Sequence, residues 1–361
     1  MFTEIIQSEE SLLAIKNEWN GLSAELPQST GFFASWDFVW NVVHTIKPNK
    51  WFVVLLREPE KRRLVAVFGW ERLTLETPLK TYRAVQPLAP SLVPYVEFPV
   101  ESRWSRQVLQ VLLNNVLVEQ LGVDVVCLWP LHEASPLYQT LTEDMRNDQL
   151  RTFRYPSNQS EIETRGLDFS AYCRSKPNST FANARYRERR LRKEGELRFT
   201  LCEPLPEALG VAERLCLASE ARFGTRFAYR AKPGWGAWVV EMVRALADQG
   251  VAQVSTLRLN EVVIASALSF WFKGRRYGYL THYDPAYAPH SPGKILLHRL
   301  IEQTFADEGV LCFGAGSYRY KDDWAQSMGD LKAAFIFMNG QARQGLDSMI
   351  DHNFIVRLGQ V

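Results

Sequence analysis

No C-x-x-C pair occurs among the five cysteines of this 361-residue sequence: Cys127, Cys173, Cys202, Cys216 and Cys312 are odd in number and widely scattered. That argues against zinc and against a disulfide framework, and it is the usage of reduced thiols in a cytoplasm. No metal is expected. Cys127 and Cys312 lie in apolar runs, where a small buried hydrophobe is the expected role. Long apolar runs are missing as well. The most apolar helical stretch, Val108 to Val118, is interrupted by Gln110, Asn114 and Asn115 and is too short to span a bilayer. Met1 to Glu10 is polar and acidic, without the apolar segment of a signal peptide, so a cytoplasmic location is expected. Nor is there an excess of charge: 42 Lys and Arg against 40 Asp and Glu leave a net +2. A strong general attraction to nucleic acid or to an anionic membrane is therefore not implied.

What is present is the composition of a globular protein, 46% hydrophobic and 23% charged, with no low-complexity tract. A chain of this length is expected to form two domains with substantial cores. The second half is the easier to read. Ala252 to Leu259, Val262 to Phe272 and Arg275 to Tyr283 read as three strands joined by the two-residue turns Asn260-Glu261 and Lys273-Gly274. A helix follows from Pro292 to about Asp307, with Ile295, Leu296, Leu300 and Phe305 at helical spacing. Gly309 stops it, and Val310 to Phe313 reads as a buried strand. A strand, a helix and a strand within some 40 residues predict a parallel pair.

The first half repeats this order. Trp51 to Arg57, Leu64 to Leu73 and Tyr82 to Gln86 read as strands, Ser102 to Gln120 as a helix and Val123 to Trp129 as a buried strand. The polar stretch Arg154 to Glu163, containing Pro156, Ser157, Asn158 and Ser160, reads as the joint. The expected domains are thus 1–158 and 159–361.

The start of the second-half helix is the first candidate site. Ser291 is a good N-cap, Pro292 is preorganised for the first helical position, and Gly293 lets a ligand approach the backbone. The free N–H groups of Gly293, Lys294 and Ile295, with the helix dipole and the Lys294 ammonium, would form an anion site for the pyrophosphate of a nucleotide or of coenzyme A. An ordinary capped helix is the other reading. In the first half the matching place holds Glu101 and no glycine, so only the second half is expected to hold a phosphate-bearing donor.

His282, Tyr283 and Asp284 fall where the third strand leaves the sheet. A base could act from His282 or Asp284, although such residues also serve to satisfy turn backbone groups. His290 could touch a phosphate. Glu220 and Arg222, near the end of a helix that begins around Pro206, could line an acceptor pocket, with Arg226, Tyr229 and Arg230 in the loop beyond. Arg185, Arg189 and Lys193 share one face of a basic helix that Arg187, Arg190 and Arg192 broaden. A solvated face, a grip on a phosphorylated or anionic substrate, and nucleic-acid binding all remain open for it. No Ser/His/Asp or Cys/His arrangement stands out.

Three antiparallel strands, a phosphate-facing helix and a parallel strand form the core order of the GNAT acyltransferases. Three segments resemble one subgroup, the CelD/BcsL-type GNAT proteins, which are related to the FemAB peptidoglycan aminoacyltransferases. They are Arg185 to Gly195 (RYRERRLRKEG), Tyr287 to Leu297 (YAPHSPGKILL) and Phe313 to Trp324 (FGAGSYRYKDDW). The likeness is good over about Asp168 to Phe337 and weak before that.

The resemblance implies an α/β (α+β) fold of two tandem GNAT-like domains, each a mixed, mostly antiparallel sheet flanked by helices, with a site in the cleft between them. It implies acyl transfer from acetyl-CoA or another acyl-CoA to an amine or hydroxyl, by direct attack on the thioester. The acceptor expected by analogy is an amino group on a sugar or cell-envelope precursor, which would tie the chain to polysaccharide synthesis. In GNAT enzymes a tyrosine just after the fifth strand often protonates the leaving thiolate. Tyr318 and Tyr320 fall there, as does Lys321. The rivals are FemAB-like transfer from aminoacyl-tRNA and a non-catalytic regulatory pair. Pro233 to Gln249 reads as one helix rather than a long helical arm, which lowers the expectation for tRNA.

Overall fold

The computed structural model describes residues 1–27, 31–78, 80–146, 148–224, 234–316, 319–346, 349–351 and 354. Packing divides the chain into two units, one of Met1–Asn158 with Gly329–Val361 and one of Gln159–Met328.

The first unit opens on strand β1 (Phe2–Ile6) and helices α1 (Glu9–Ala14), α2 (Lys16–Glu25) and α3 (Trp36–Asn41). Strands β2 (Trp51–Arg57), β3 (Leu64–Glu76) and β4 (Thr81–Pro87) then run antiparallel in turn, and β1 pairs antiparallel with β2. Helix α4 (Ser105–Gln110), which widens into π geometry over Val111–Gln120, leads to β5 (Val125–His132). β5 lies parallel to β4 through Ala84↔Val125 and Val85↔Val126. A short helix α5 (Pro136–Asp144) follows.

The second unit has the same order. Past α6 (Phe169–Ser175) and α7 (Asn178–Leu191) come β7 (Leu197–Thr200), α8 (Leu205–Phe223) and α9 (Trp235–Leu246). Then β8 (Ala252–Leu259), β9 (Val262–Phe272) and β10 (Arg275–Tyr283) run antiparallel, with β7 antiparallel to β8. Helix α10 (Pro292–Ala306) crosses over to β11 (Val310–Ala315), which is parallel to β10. The β9–β10 turn places Lys273 and Gly274 at φ 49° and 73°, the doubly left-handed geometry that suits a two-residue hairpin. Both units are therefore mixed, mostly antiparallel sheets flanked by helices, the α/β architecture expected.

Two segments depart from the sequence reading. The stretch read as a polar joint lies within strand β6 (Leu150–Glu163). Arg151 to Ser157 alternate between half-buried and exposed, with Phe153 and Tyr155 against the first unit's core, while Gln159, Ser160 and Ile162 are buried where Gln159–Glu163 pairs antiparallel with β11. The second departure is at the C-terminal end, which the reading placed with the second half. Strand β12 (Ser327–Phe337) instead pairs antiparallel with β5, from Leu331↔His132 to Phe337↔Val125. Ala333, Phe335 and Phe337, with Ala342 and Leu346 of α12 (Gly340–Leu346), join Tyr82, Ala84, Cys127 and Trp129 in one core. That apolar surface is why residues 329–361 belong to the first unit.

The second unit's core has two parts. One joins Leu191, Leu197, Leu257, Ile264, Ile295 and Leu296. The other joins Ile162, Tyr172, Phe181, Ile301, Leu311 and Trp324, the last on helix α11 (Arg319–Trp324). α10 is thus anchored along most of its length, which fixes where its N-terminus points.

Candidate active site

The parallel ladder of β10 and β11 is short. It holds Arg275↔Val310, Arg276↔Leu311 and Tyr277↔Cys312, and then ends although β10 runs on to Tyr283. Both strands are irregular just there. β10 bulges between Gly278 and Leu280 against β9, and β11 is out of register between Cys312 and Ala315 against β6. Bulges bend a strand and break its pairing. At the same level two glycines meet. A Cβ on Gly314, whose φ is +72°, would sit 2.7 Å from the Gly278 carbonyl oxygen, and one on Gly278 would sit 3.3 Å from the Cys312 oxygen. Only glycine fits that approach. Neither glycine was singled out from the sequence, although an isolated glycine inside a strand is a recognised sign of close backbone approach.

Lys321, on α11, is the most unusual charge at this place. It is 2% exposed, and its Nζ donates to the Gly314 carbonyl at 2.8 Å. Burial pulls its pKa down to about 8, and nearby Asp322 opposes the shift. Desolvation disfavours the ammonium. The Lys321 side chain is closed off from solvent. Tyr320, its neighbour, is 38% exposed. Tyr318 and Arg226 lie outside the described residues.

His282 is half-buried at the end of β10. Its pKa is held below the ordinary histidine value by burial first, with Arg222 lowering it further and Asp284 opposing. So the structure brings Arg222, from the last turn of α8, and Asp284 into the field of His282. Glu220 is exposed on the same turn, within reach of Gly236 on α9. The Asp284 carboxylate serves the backbone, where its Oδ1 accepts from the Ala286 N–H at 2.9 Å and caps the 3₁₀ turn Pro285–His290. His290 pairs with Glu194 at 3.5 Å.

The start of α10 differs from the expected side-chain cap. Ser291 is left-handed (φ 49°, ψ 55°) and makes no side-chain cap bond. The 3₁₀ turn before it closes by Ser291 N–H to Ala288 O at 3.0 Å and fixes that conformation. Its carbonyl takes the N–H groups of Lys294 (3.0 Å) and Ile295 (3.4 Å). Of the three N–H groups read as an anion cradle, those two are already bonded. Gly293 N–H has no bond among the described residues and stays directed out of the helix start. The ring of Tyr283 would lie 3.5 Å from a Cβ on Gly293, so there is room there for a methyl group. Lys294 is exposed. In the first unit Glu101 stands before the matching helix, bonded to Arg63 and, at 3.1 Å, to Arg103, and its carboxyl is held below the usual range mainly by Arg63.

The basic helix sorts itself by face. On α7, Phe181, Ala184, Glu188 and Leu191 are buried. Arg187 turns inward to Asn183 (2.8 Å) and to the Pro289 carbonyl. Arg185, Arg189 and Lys193 are exposed, and Arg185 reaches Cys173 Sγ at 3.8 Å. Among the described residues no three or more His, Cys, Asp or Glu side chains are placed to hold a metal ion. No described helix is long and apolar enough to cross a membrane.

Residues 178–322 match the family model described as acetyltransferase (GNAT) domain. No curated protein sequence matches the chain. Among solved structures it is similar to FemX, at 11% identity and a TM-score of 0.60 over 97% of this chain and 100% of that one. It is also similar to a C-terminal domain (DUF2156) assigned to a lysylphosphatidylglycerol synthetase of Agrobacterium fabrum, at 12% identity and 0.59 over 98% of each. A protein of unknown function from Bacteroides thetaiotaomicron gives 9% and 0.56, over 90% of this chain and 97% of that one. At these identities the likeness is one of fold.

Proposed function

We propose that the second unit transfers an acyl group from acyl-CoA to an amino group, with a sugar or cell-envelope precursor as the acceptor class. The observation that carries this reading is the parting of β10 and β11 beside the open Gly293 N–H. Strands that stop pairing leave backbone donors and acceptors for an extended, amide-bearing chain. A helix N-terminus with a free N–H suits a phosphate at the end of such a chain. Glu101 fills the matching place in the first unit with its own carboxylate, so the donor is assigned to the second unit only. Gly293 binds the donor phosphate, Lys294 adds a mobile positive charge, and Ser291 and Ile295 hold the helix start in shape.

When bound, acyl-CoA supplies the activated acyl group; the chain's residues position it and move protons. His282, kept neutral by burial, accepts the proton that the attacking amine sheds as its nitrogen bonds to the acyl carbon. Lys321, protonated below about pH 8, gives a proton to the sulfur as the carbon–sulfur bond breaks. Each group then exchanges its proton with solvent, and the products are an amide and a free thiol. Tyr318 and Tyr320 remain proposed alternatives for the thiolate's acid. Asp284 orients the turn beside His282, and Glu220, Arg222 and Arg226 are assigned to the acceptor side.

A bell-shaped pH profile of kcat/KM is expected. The acid limb falls below the ordinary histidine range as His282 gains a proton. The alkaline limb falls above about pH 8 as Lys321 loses one. A profile flat from pH 6 to 10 would remove both assignments.

The exposed face of α7 is proposed to meet an anionic group of the acceptor. Changing Arg185, Arg189 and Lys193 together to Gln is expected to raise the acceptor's KM about three- to tenfold and leave donor affinity alone, because exposed charges contribute little each. Salt should mimic the change in the wild type. An unmoved KM would make the run a solvated face.

The likeness to FemX over nearly the whole chain favours a second reading, in which the activated acyl group arrives on aminoacyl-tRNA. Calorimetric titration separates the two. One-to-one binding of acetyl-CoA supports the first. Binding of aminoacyl-tRNA with none of acetyl-CoA supports the second.

A further inference from the structure

A cavity of about 260 Å³ lies in the second unit where α7 and α10 cover the edge of the sheet. Its floor is apolar: Leu197 on β7, Leu257 and Phe199 facing each other across the β7–β8 ladder, and Ala306 on α10. Its wall is charged with both signs. Glu188 on α7 and Arg192 just past its end stand one turn apart, and Arg299 and Glu302 nearly so on α10.

The wall is held as one network. Glu188 Oε1 accepts from Arg192 Nη2 at 3.0 Å and Nε at 3.3 Å, and from Arg299 Nη2. Arg299 Nη1 also donates to Glu302 Oε2 at 2.6 Å. Three bonds thus converge on a single oxygen of Glu188, a residue only 6% exposed. Its Oε2 carries no hydrogen bond among the described residues, and neither does Oε1 of Glu302. Arg299 Nε likewise donates to nothing among them. Glu188 lines the cavity, so its Oε2 is open to a ligand's donor.

We infer that this cavity binds a free α-amino acid with an apolar side chain. The ammonium would lie against Glu188 Oε2 and Glu302, the carboxylate against the spare N–H groups of Arg192 and Arg299, and the side chain on Leu197, Phe199 and Leu257. The wall carries two charges of each sign and so suits a zwitterion better than a simple anion or cation. The size allows it: 260 Å³ leaves ample room for a molecule as small as a leucine. The site is separate from the parting of β10 and β11, and the inference does not rest on the donor proposed there. It bears on the donor end all the same, since α10 carries Arg299 and Glu302 from its middle onward and Gly293 at its start, and Arg187 of α7 bonds to Pro289 just before it.

The test is calorimetric titration of the full chain with L-leucine, beside three cut-down probes: 3-methylbutylamine lacks the carboxylate, 4-methylpentanoate the ammonium, and L-serine the apolar side chain. Leucine is expected to bind one to one, with each probe weaker by about tenfold or more. Ala306→Trp fills the cavity from an exposed position and should abolish binding while the melting curve stays cooperative. Glu302→Gln should weaken leucine about tenfold and leave 4-methylpentanoate unchanged. Absence of leucine binding, or equal binding to the wild type and Ala306→Trp, overturns the inference. Probes as tight as leucine would overturn its zwitterionic part.

Discussion

Lys321→Met is expected to make the protein more stable and nearly inactive. The pKa of Lys321 falls from 10.5 to about 8, so folding the ammonium into its buried place costs about 3 kcal/mol at neutral pH. The cost is present wherever the amine is charged in both states. It is relieved as pH rises from about 8, where the folded amine loses its proton, toward 10.5, where the unfolded one does. Methionine has a similar length and no charge to desolvate, but it gives up the bond to the Gly314 carbonyl. A net gain of about 1–3 kcal/mol is expected at pH 7, or a few degrees of melting temperature for each kcal/mol. The gap to the wild type should close by about pH 10. Turnover should fall about 10²–10⁴-fold, as for a lost general acid. Thermal melts at both pH values and steady-state rates check this. A less stable variant with full activity would make Lys321 a structural residue.

The second large effect is expected at Gly293. Gly293→Glu should abolish acyl-CoA binding, because it places a carboxylate where the donor phosphate is proposed to sit. The fold should not suffer, since an acidic residue in the first turn complements the helix dipole. Gly293→Ala is the matching control. Its Cβ would meet Tyr283 Cδ1 at 3.5 Å, an ordinary contact, so binding should stay within a few-fold of wild type. Equal binding by the glutamate variant would place the donor elsewhere.

The sequence made the second half legible because its signals are local. Lys273-Gly274 demands left-handed geometry, and the alternating and helical patterns around it belong to adjacent elements, so β8, β9, β10 and α10 lie within a residue or two of where they were read. β6 was lost because Pro156, Ser157 and Asn158 make a turn-like composition. What makes it a strand is pairing with Val310–Ala315, far along the chain. β12 was missed for the same reason, since its partner β5 lies some 200 residues earlier. At the candidate site the residue types were legible and their surroundings were not. Lys321 sits in a charged hexapeptide that reads as solvated, and only the packing of Trp324 with Phe181 and Tyr172 carries that turn inside. Asp284 read both as a possible base and as a residue that satisfies turn backbone groups; its carboxylate caps a turn. The bend of β10 at Gly278 follows from Gly314, which no local pattern links to it.

The first unit's strands come from both ends of the chain, and the second unit is one continuous segment. This sets an order of events on the ribosome. The stretch from Gln159 to Met328 can close its core as soon as it has emerged. The first unit must wait, with Tyr82, Cys127 and Trp129 uncovered, until Phe335 and Leu346 are made. The usual rule that the N-terminal domain folds first during synthesis is reversed here. A nascent chain arrested once Met328 has left the exit tunnel should hold a protease-resistant second unit behind a first unit that is still open to cleavage.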